Sequence, residues 1–291
     1  MNDKSRNLIV RTLSGAVLLG VVLAAAFLGK YAYGALLLFI LSMGMDEFYT
    51  IVKKGGIEPQ KDAGLVLGVG LFAGAFEIFK RMYDGVEIPA GLFMFVGAIV
   101  LFLLFVPFLL EIFRAKENPL RNIAATLMGV IYVALPMSLM LFIPLLLSGG
   151  VWRAEAFLFY LFIVWGNDVF AYLAGVTMGK HKMCPRISPK KSWEGFVGGI
   201  IGAMAMGAVG SYVVGGGLGM WLGLSLVVAV TSVFGDLVES MFKREAGIKD
   251  SGNIMPGHGG ILDRFDALLI SSPFAFVYLM GASYLIENYV Y

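Results

Sequence analysis

The chain has 291 residues, of which 59% are hydrophobic and only 14% are charged. A soluble domain carries about 25% charged residues, so this composition excludes an ordinary soluble protein. The formal net charge of +2 indicates neither an acidic nor a basic partner, and the single cysteine, Cys184, excludes an intrachain disulfide. We therefore expect an integral membrane protein whose partner is the lipid bilayer and not a nucleic acid.

Apolar segments of about 20 residues, enough to cross a hydrocarbon core about 30 Å thick, recur along the chain. Because lipid offers no hydrogen-bond partners, each such segment is expected to be a helix. The sequence thus predicts an all-α, polytopic membrane helix bundle with about nine transmembrane helices, at Thr12–Leu28, Tyr31–Ile51, Gly64–Phe79, Gly91–Ile112, Ile123–Leu147, Ala154–Met178, Gly195–Val214, Leu218–Glu239 and Ala267–Glu287. The run Ala24–Ala26 is similar to a signal-peptidase site, but we expect the first helix to be retained.

The distribution of Lys and Arg predicts the orientation, because these residues are retained on the cytoplasmic side. With the N-terminus in the cytoplasm, 18 of the 22 Lys and Arg residues fall on the inner side. Only Lys30, Lys80, Arg81 and Arg153 then lie outside. The sequence therefore predicts a cytoplasmic N-terminus, and it places the basic connections at 180–191 and 243–264 on the inner face.

Carboxylates at membrane depth are costly, at about 2.5–3.5 kcal/mol each on insertion scales, so their clustering suggests a function. Asp168 lies within the sixth helix, Asp236 and Glu239 end the eighth, and Asp263 and Asp266 precede the ninth. Two simpler interpretations stay open: Asp168 could be hydrogen-bonded within the bundle, and Asp266 could cap a helix N-terminus. Asp46 and Glu47 are ambiguous and are left outside the predicted site.

The connection between the eighth and ninth helices is the most informative segment. Asp236, Glu239, Ser240 and Lys243 are spaced at i, i+3, i+4 and i+7, so they share one helical face. The glycines at 257, 259 and 260 allow backbone amides to approach an anion. Carboxylates beside Lys and Arg are the groups that hold Mg²⁺ together with phosphates, so we expect a phosphate-rich substrate here.

This segment resembles the signature of the phosphatidate cytidylyltransferase (CDP-diacylglycerol synthase) family. The signature requires Ser-x-apolar-Lys-Arg, four spacers, Lys-Asp, and later His-Gly-Gly-apolar-x-Asp-Arg-apolar-Asp, and 240–266 matches every fixed position. Met255 departs from the usual Leu, Ile or Phe, which is a volume-conserving change. The resemblance extends to 166–168 and 188–195, and so covers roughly the last third of the chain.

The resemblance implies a Mg²⁺-dependent nucleotidyltransferase that joins CTP to phosphatidate, giving CDP-diacylglycerol and pyrophosphate for phospholipid synthesis. It implies metal ligation by Asp236 and Asp263, and whether a second cation binds stays open. The residues implied in catalysis are Asp236, Asp263, Lys243, Arg264, Lys249 and His258, and those expected to bind substrate are Ser188, Lys190, Lys191, Ser240, Arg244, Asp168 and Asp266. Two alternative functions are a CTP-dependent lipid kinase, which would release CDP, and a secondary transporter.

Within this interpretation, residues 1–150 are variable N-terminal membrane helices, and residues 151–291 are the catalytic membrane region with the signature at 240–266. The expected location is the cell membrane, with the site facing the cytoplasm. The family resemblance also suggests a homodimer.

Overall fold

The structure, a computed structural model, describes residues 3–254, 257 and 259–289, with side chains from 10 to 284 inside those ranges. Twelve helical segments run along this part of the chain. They are α1 (Asp3–Phe27), α2 (Lys30–Lys54), α3 (Lys61–Tyr83), α4 (Ala90–Arg114), α5 (Pro119–Gly129), a π-helical turn (Val130–Ala134), α6 (Leu135–Met140), α7 (Ile143–Leu147), α8 (Ala154–Met178), α9 (Trp193–Val214), α10 (Leu218–Glu245) and α11 (Leu262–Tyr289).

Among the described residues, nine helical stretches are long and apolar enough to cross a membrane. This confirms the predicted all-α, polytopic fold. The fifth stretch is Pro119–Met140, which joins α5, the π-helical turn and α6. Pro136 explains the irregularity, because proline has no N–H to donate to the preceding turn and its ring crowds that turn.

A short antiparallel hairpin interrupts the helices between α8 and α9. Strand β1 is Lys182–Cys184 and strand β2 is Ser188–Ser192, paired with an irregularity in register. This hairpin is not predictable from the sequence, because strands of three and five residues rich in Lys and Ser carry no clear alternation of apolar side chains. It takes up the segment expected to bind the substrate through Ser188, Lys190 and Lys191.

The chain divides into two compact units that are not continuous in sequence. The first consists of residues 1–141 and 242–265, and the second of residues 142–241 and 266–291. The predicted site residues are therefore divided, with Lys243 and Asp263 in the first unit and Asp236 and Asp266 in the second.

The first unit is organised around α2. Its side chains Tyr33, Leu37, Leu41 and Met45 are fully buried, at spacings of four that make one helical face. Tyr33 donates a hydrogen bond of 2.7 Å to the carbonyl of Met140. Burial of this stripe holds α2 in the core of the unit and thereby fixes the residues near its C-terminal end.

The second unit depends on close packing of α8 against α9. Gly195, Gly199 and Gly202 are buried on α9, and a Cβ atom at Gly202 would strike the ring of Phe170 on α8. Glycine at this spacing lets two membrane helices approach closely. Asn167 of α8 also donates a 3.0 Å hydrogen bond to Ser232 of α10, so the polar end of this unit is fixed by side chains as well.

Candidate active site

Three carboxylates of the second unit form an acidic cluster. Asp236 and Glu239 lie one turn apart on α10, Asp266 lies on α11, and one ligand atom from each lies within 4.8 Å of the others. The helices meet at Gly235, where a Cβ atom would touch the backbone of Asp266 and Ala267. The absence of a side chain at Gly235 therefore allows α10 and α11 to approach closely beside the three carboxylates.

Lysine and hydroxyl groups surround Asp236. The Nζ atom of Lys191 lies 2.6 Å from one carboxylate oxygen of Asp236 and also donates to the carbonyl of Val233 at 3.1 Å. Ser240 donates to the other oxygen of Asp236 at 3.3 Å. Asp168 of α8 lies within electrostatic range of both Lys191 and Asp236. The structure thus brings together Asp168, Lys191, Asp236, Ser240 and Asp266, all predicted from the sequence.

The chemistry of the acidic cluster fits a divalent cation. Mg²⁺ prefers oxygen ligands and is commonly held by one or two carboxylates plus substrate phosphate oxygens. The cluster offers three carboxylates in close proximity, two of them half-buried and Glu239 buried. Among the described residues, this donor set suits Mg²⁺ better than a softer metal, because it contains neither His nor Cys.

The hairpin that carries Lys191 is fixed to the start of α9. Ser192 caps this helix by accepting a hydrogen bond of 3.2 Å from the backbone N–H of Gly195. Glu194, in the first turn, accepts hydrogen bonds from the backbone N–H groups of Lys180 and His181 and pairs with the His181 ring at 2.6 Å. Of the other predicted residues here, Ser188 is half-buried and Lys190 is exposed.

A second polar cluster lies in the first unit, around Asp263. The Nζ atom of Lys243 lies 2.6 Å from one oxygen of the Asp263 carboxylate. The other oxygen accepts from the backbone N–H of Gly260 at 2.8 Å, and from the N–H and hydroxyl of Ser251, both at 2.9 Å. The Lys243 and Asp263 side chains are 10% and 6% exposed, so the pair is well shielded. We call this set, Lys243, Ser251, Gly260 and Asp263, the lysine–aspartate cluster.

The remaining cations of the signature are exposed. Arg244 donates to the carbonyl of Ile248 at 3.1 Å, and Lys249 and Arg264 present exposed side chains. Their substrate roles stay predictions. His258 lies outside the described residues.

Two carboxylates outside the predicted site lie at these clusters, Glu239 within the acidic cluster and Glu47 in contact with Ser251 of the lysine–aspartate cluster. Glu239 completes the acidic cluster, and its position one turn after Asp236 was a usable signal. Glu47 of α2 contacts the connection between α10 and α11, accepting from Ser251, Ile261 and Leu262 at 2.9 Å each. The sequence indicated only that Glu47 is a charge at membrane depth, and such charges are rare without a partner.

Fold and site together define a multi-pass helical membrane protein with carboxylates and lysines gathered in polar clusters among apolar helices. The sequence profile of the Cytidylyltransferase family matches residues 9–281, and the chain belongs to this family.

Curated relatives named "Phosphatidate cytidylyltransferase" match part of the chain. The chain is 50% identical over 119 residues to the "Phosphatidate cytidylyltransferase" of Staphylococcus haemolyticus, covering 40% of this chain and 45% of that protein. It is 37% identical over 164 residues to the protein of that name in Rickettsia bellii, covering 53% of this chain and 69% of the relative. The chain thus spans somewhat less than half the length of the staphylococcal relatives that it matches.

Proposed function

We propose that this protein transfers the cytidylyl group of CTP to phosphatidate and releases CDP-diacylglycerol and pyrophosphate. The observation that carries the proposal is the acidic cluster of Asp236, Glu239 and Asp266, with Lys191 paired to Asp236, in a member of the Cytidylyltransferase family. Carboxylates that can hold a divalent cation beside a lysine suit a triphosphate, and apolar helices suit a lipid. The name shared by the relatives supports the same reaction.

In this reaction a phosphate oxygen of phosphatidate attacks the α-phosphorus of CTP. The bond between that phosphorus and the oxygen bridging to the β-phosphorus breaks, and pyrophosphate leaves with the electron pair. Phosphatidate is already an anion at neutral pH, so the chain need not provide a strong base. The task of its residues is to orient two anionic substrates and to neutralise charge that develops on the leaving group.

We assign the basic residues of the predicted site to binding and neutralising the phosphate groups of the substrates. Lys191 and Lys190, with Ser188, bind the nucleotide or lipid phosphate, and Lys243 screens negative charge beside Asp263. Arg244, Lys249 and Arg264 neutralise the remaining phosphate oxygens, for which Arg offers a bidentate fork. His258 orients a phosphate or hydrogen-bonds within its own segment.

For the metal, we propose that Asp236, Glu239 and Asp266 hold Mg²⁺. When bound, Mg²⁺ would neutralise triphosphate oxygens and stabilise the leaving pyrophosphate. Asp263, predicted from the family signature to share this role with Asp236, has four donors on its carboxylate. For Asp263 to bind a cation, some of these donors would have to give up their hydrogen bonds to its carboxylate. Asp263 would then provide a site for a second cation.

We further propose that the protein resides in the cell membrane as a homodimer, with its N-terminus and its polar clusters on the cytoplasmic side. The excess of Lys and Arg in the connections assigned to the inner face supports this orientation. CTP is a water-soluble nucleotide, so a site on the cytoplasmic face would give it direct access.

The test is incubation of the purified protein with phosphatidate, Mg²⁺ and CTP labelled in the cytosine ring. The proposal expects a labelled lipid and one pyrophosphate per labelled lipid. Release of CDP with an unlabelled phosphorylated lipid would indicate a lipid kinase instead. Uptake of solute into proteoliposomes without consumption of CTP would indicate a transporter.

A further inference from the structure

Glu47 is a buried carboxylate of α2 that contacts a distant part of the chain. Only 4% of the surface of Glu47 is exposed, although its side chain ends in a carboxylate. One carboxylate oxygen accepts from the backbone N–H of Ile261, and the other accepts from that of Leu262, each at 2.9 Å. Leu262 is the first residue of α11. Glu47 therefore satisfies two backbone donors where α11 begins, donors that a helix cannot satisfy by itself.

Ser251 links Glu47 to the lysine–aspartate cluster. Its hydroxyl lies 2.9 Å from Glu47 Oε2 and 2.9 Å from Asp263 Oδ2. Since a hydroxyl has one proton, it donates to one carboxylate at a time, while its backbone N–H donates to Asp263 throughout. Ser251 therefore contacts both carboxylates, so Glu47 and Asp263 are connected through this residue.

Two glycines permit this close approach. A Cβ atom at Gly252 or at Gly260 would collide with the carboxylate of Glu47. Each glycine therefore allows the chain to close around a side chain from α2, and both lie within the segment that leads to Asp263.

We propose that Glu47 is a positioning residue for the transfer reaction. It fixes Ser251, Ile261 and Leu262 against α2, and these residues hold Asp263, and with it Lys243, in one geometry for the substrates. It acts through its hydrogen bonds to Ser251, Ile261 and Leu262 and has no contact with substrate. The expected effect on the rate of the reaction rests on the proposed function. The expected effect on the hydrogen bonds of Ile261 and Leu262 does not depend on the reaction.

The experiment compares Glu47→Gln with Asp46→Asn. Gln keeps the size of the side chain, but its NH₂ group is a donor and cannot accept from a backbone N–H. Asp46 is adjacent on the same helix and pairs with Lys61 at an exposed position, so its variant is a matched control for loss of a carboxylate. Hydrogen–deuterium exchange of the peptide containing Ile261 and Leu262 is measured by mass spectrometry, together with kcat and KM for CTP.

For Glu47→Gln we expect faster exchange confined to that peptide and a fall in kcat of about 10- to 100-fold, the range typical when a residue that orients a metal-ligating side chain is lost. We expect KM for CTP to change less than kcat and Asp46→Asn to match the wild type. Wild-type exchange and wild-type kcat in Glu47→Gln would overturn the proposal. So would faster exchange over the whole protein, because that result indicates a general structural role.

Ser251→Ala covers the case in which Glu47→Gln does not fold. It removes the hydroxyl between the two carboxylates and keeps the backbone N–H, so we expect a smaller fall in kcat in a folded protein. An unchanged kcat in Ser251→Ala would count against positioning through Ser251. If the wild type makes no labelled lipid, the proposed function fails, whereas the exchange comparison still decides whether Glu47 holds this segment.

Discussion

Individual carboxylates differ in what surrounds them, and this difference separates a metal ligand from a structural group. Glu239 lies with Asp236 and Asp266 in the acidic cluster. If this cluster holds Mg²⁺ as proposed, Glu239→Gln removes one anionic ligand oxygen, and we expect the Mg²⁺ concentration that gives half-maximal activity to rise about tenfold, equivalent to roughly 1.4 kcal/mol. Lipid labelling over a Mg²⁺ titration measures this, with Glu155→Gln on α8, a partly exposed position outside the cluster, as the control. An unchanged half-maximal concentration would remove Glu239 from the metal site.

Asp263 provides a second prediction at this scale, since the family signature assigns it to the metal. We expect Asp263→Asn to abolish turnover in a folded protein, because the amide cannot balance the charge of Lys243 or accept at both of its positions. The measurement is lipid labelling by purified protein at saturating Mg²⁺, beside a thermal unfolding curve. Near-normal activity under those conditions would refute a role for Asp263 in catalysis.

At the scale of the elements, the sequence predicted helices well because long apolar runs in lipid have one regular structure available. The predicted range of α8 agrees at both ends with Ala154–Met178, whereas α11 begins at Leu262, five residues before its predicted start. Asp263 and Asp266 therefore lie within the helix. Because these two residues are charged, the predicted start of α11 was placed after them, although acidic residues are favourable in a first helical turn.

Polar contacts between elements that are distant along the chain could not be predicted from the sequence. Glu47 and Ser251 are separated by 204 positions, and no local pattern relates them. Charges at membrane depth indicated which residues needed partners, and the family signature includes Asp236 and Asp266 of the acidic cluster and Lys243 and Asp263 of the lysine–aspartate cluster. The choice of partner depends on tertiary packing, so the sequence alone neither places Glu47 beside Ser251 nor predicts the hairpin that carries Lys191.

The packing of α8 on α9 gives a prediction for a whole element. A side chain at Gly202 would collide with Phe170, so Gly202→Leu is expected to destabilise the protein, with a cost of about 1–3 kcal/mol for overpacking. The unfolding midpoint in detergent measures this effect. Gly281→Leu on α11 is the control, since no atom lies within 4 Å of a Cβ atom there. Equal midpoints for the two variants would show that the helices can separate without cost.

For the whole molecule, the two compact units do not follow the order of the chain. Residues 242–265, which carry most of the family signature, belong to the unit built from the first 141 residues. The N-terminal helices therefore contribute to the surroundings of Asp263, through Glu47 and through Phe48, whose ring lies 5.8 Å from that of Phe242.

The orientation of the whole chain can be tested with its single cysteine. The distribution of Lys and Arg places Cys184, in β1, on the cytoplasmic side, and it places the connection between α3 and α4 outside. We expect a membrane-impermeant maleimide to leave Cys184 unlabelled in intact cells and to label it after permeabilisation. A cysteine at the exposed residue 87, in the double variant Cys184→Ser and Glu87→Cys, is expected to be labelled in intact cells. Labelling of Cys184 in intact cells would show that the topology is the reverse of the predicted one. The hairpin with Lys191 would then face a compartment without CTP, and both the orientation and the proposed reaction would be untenable.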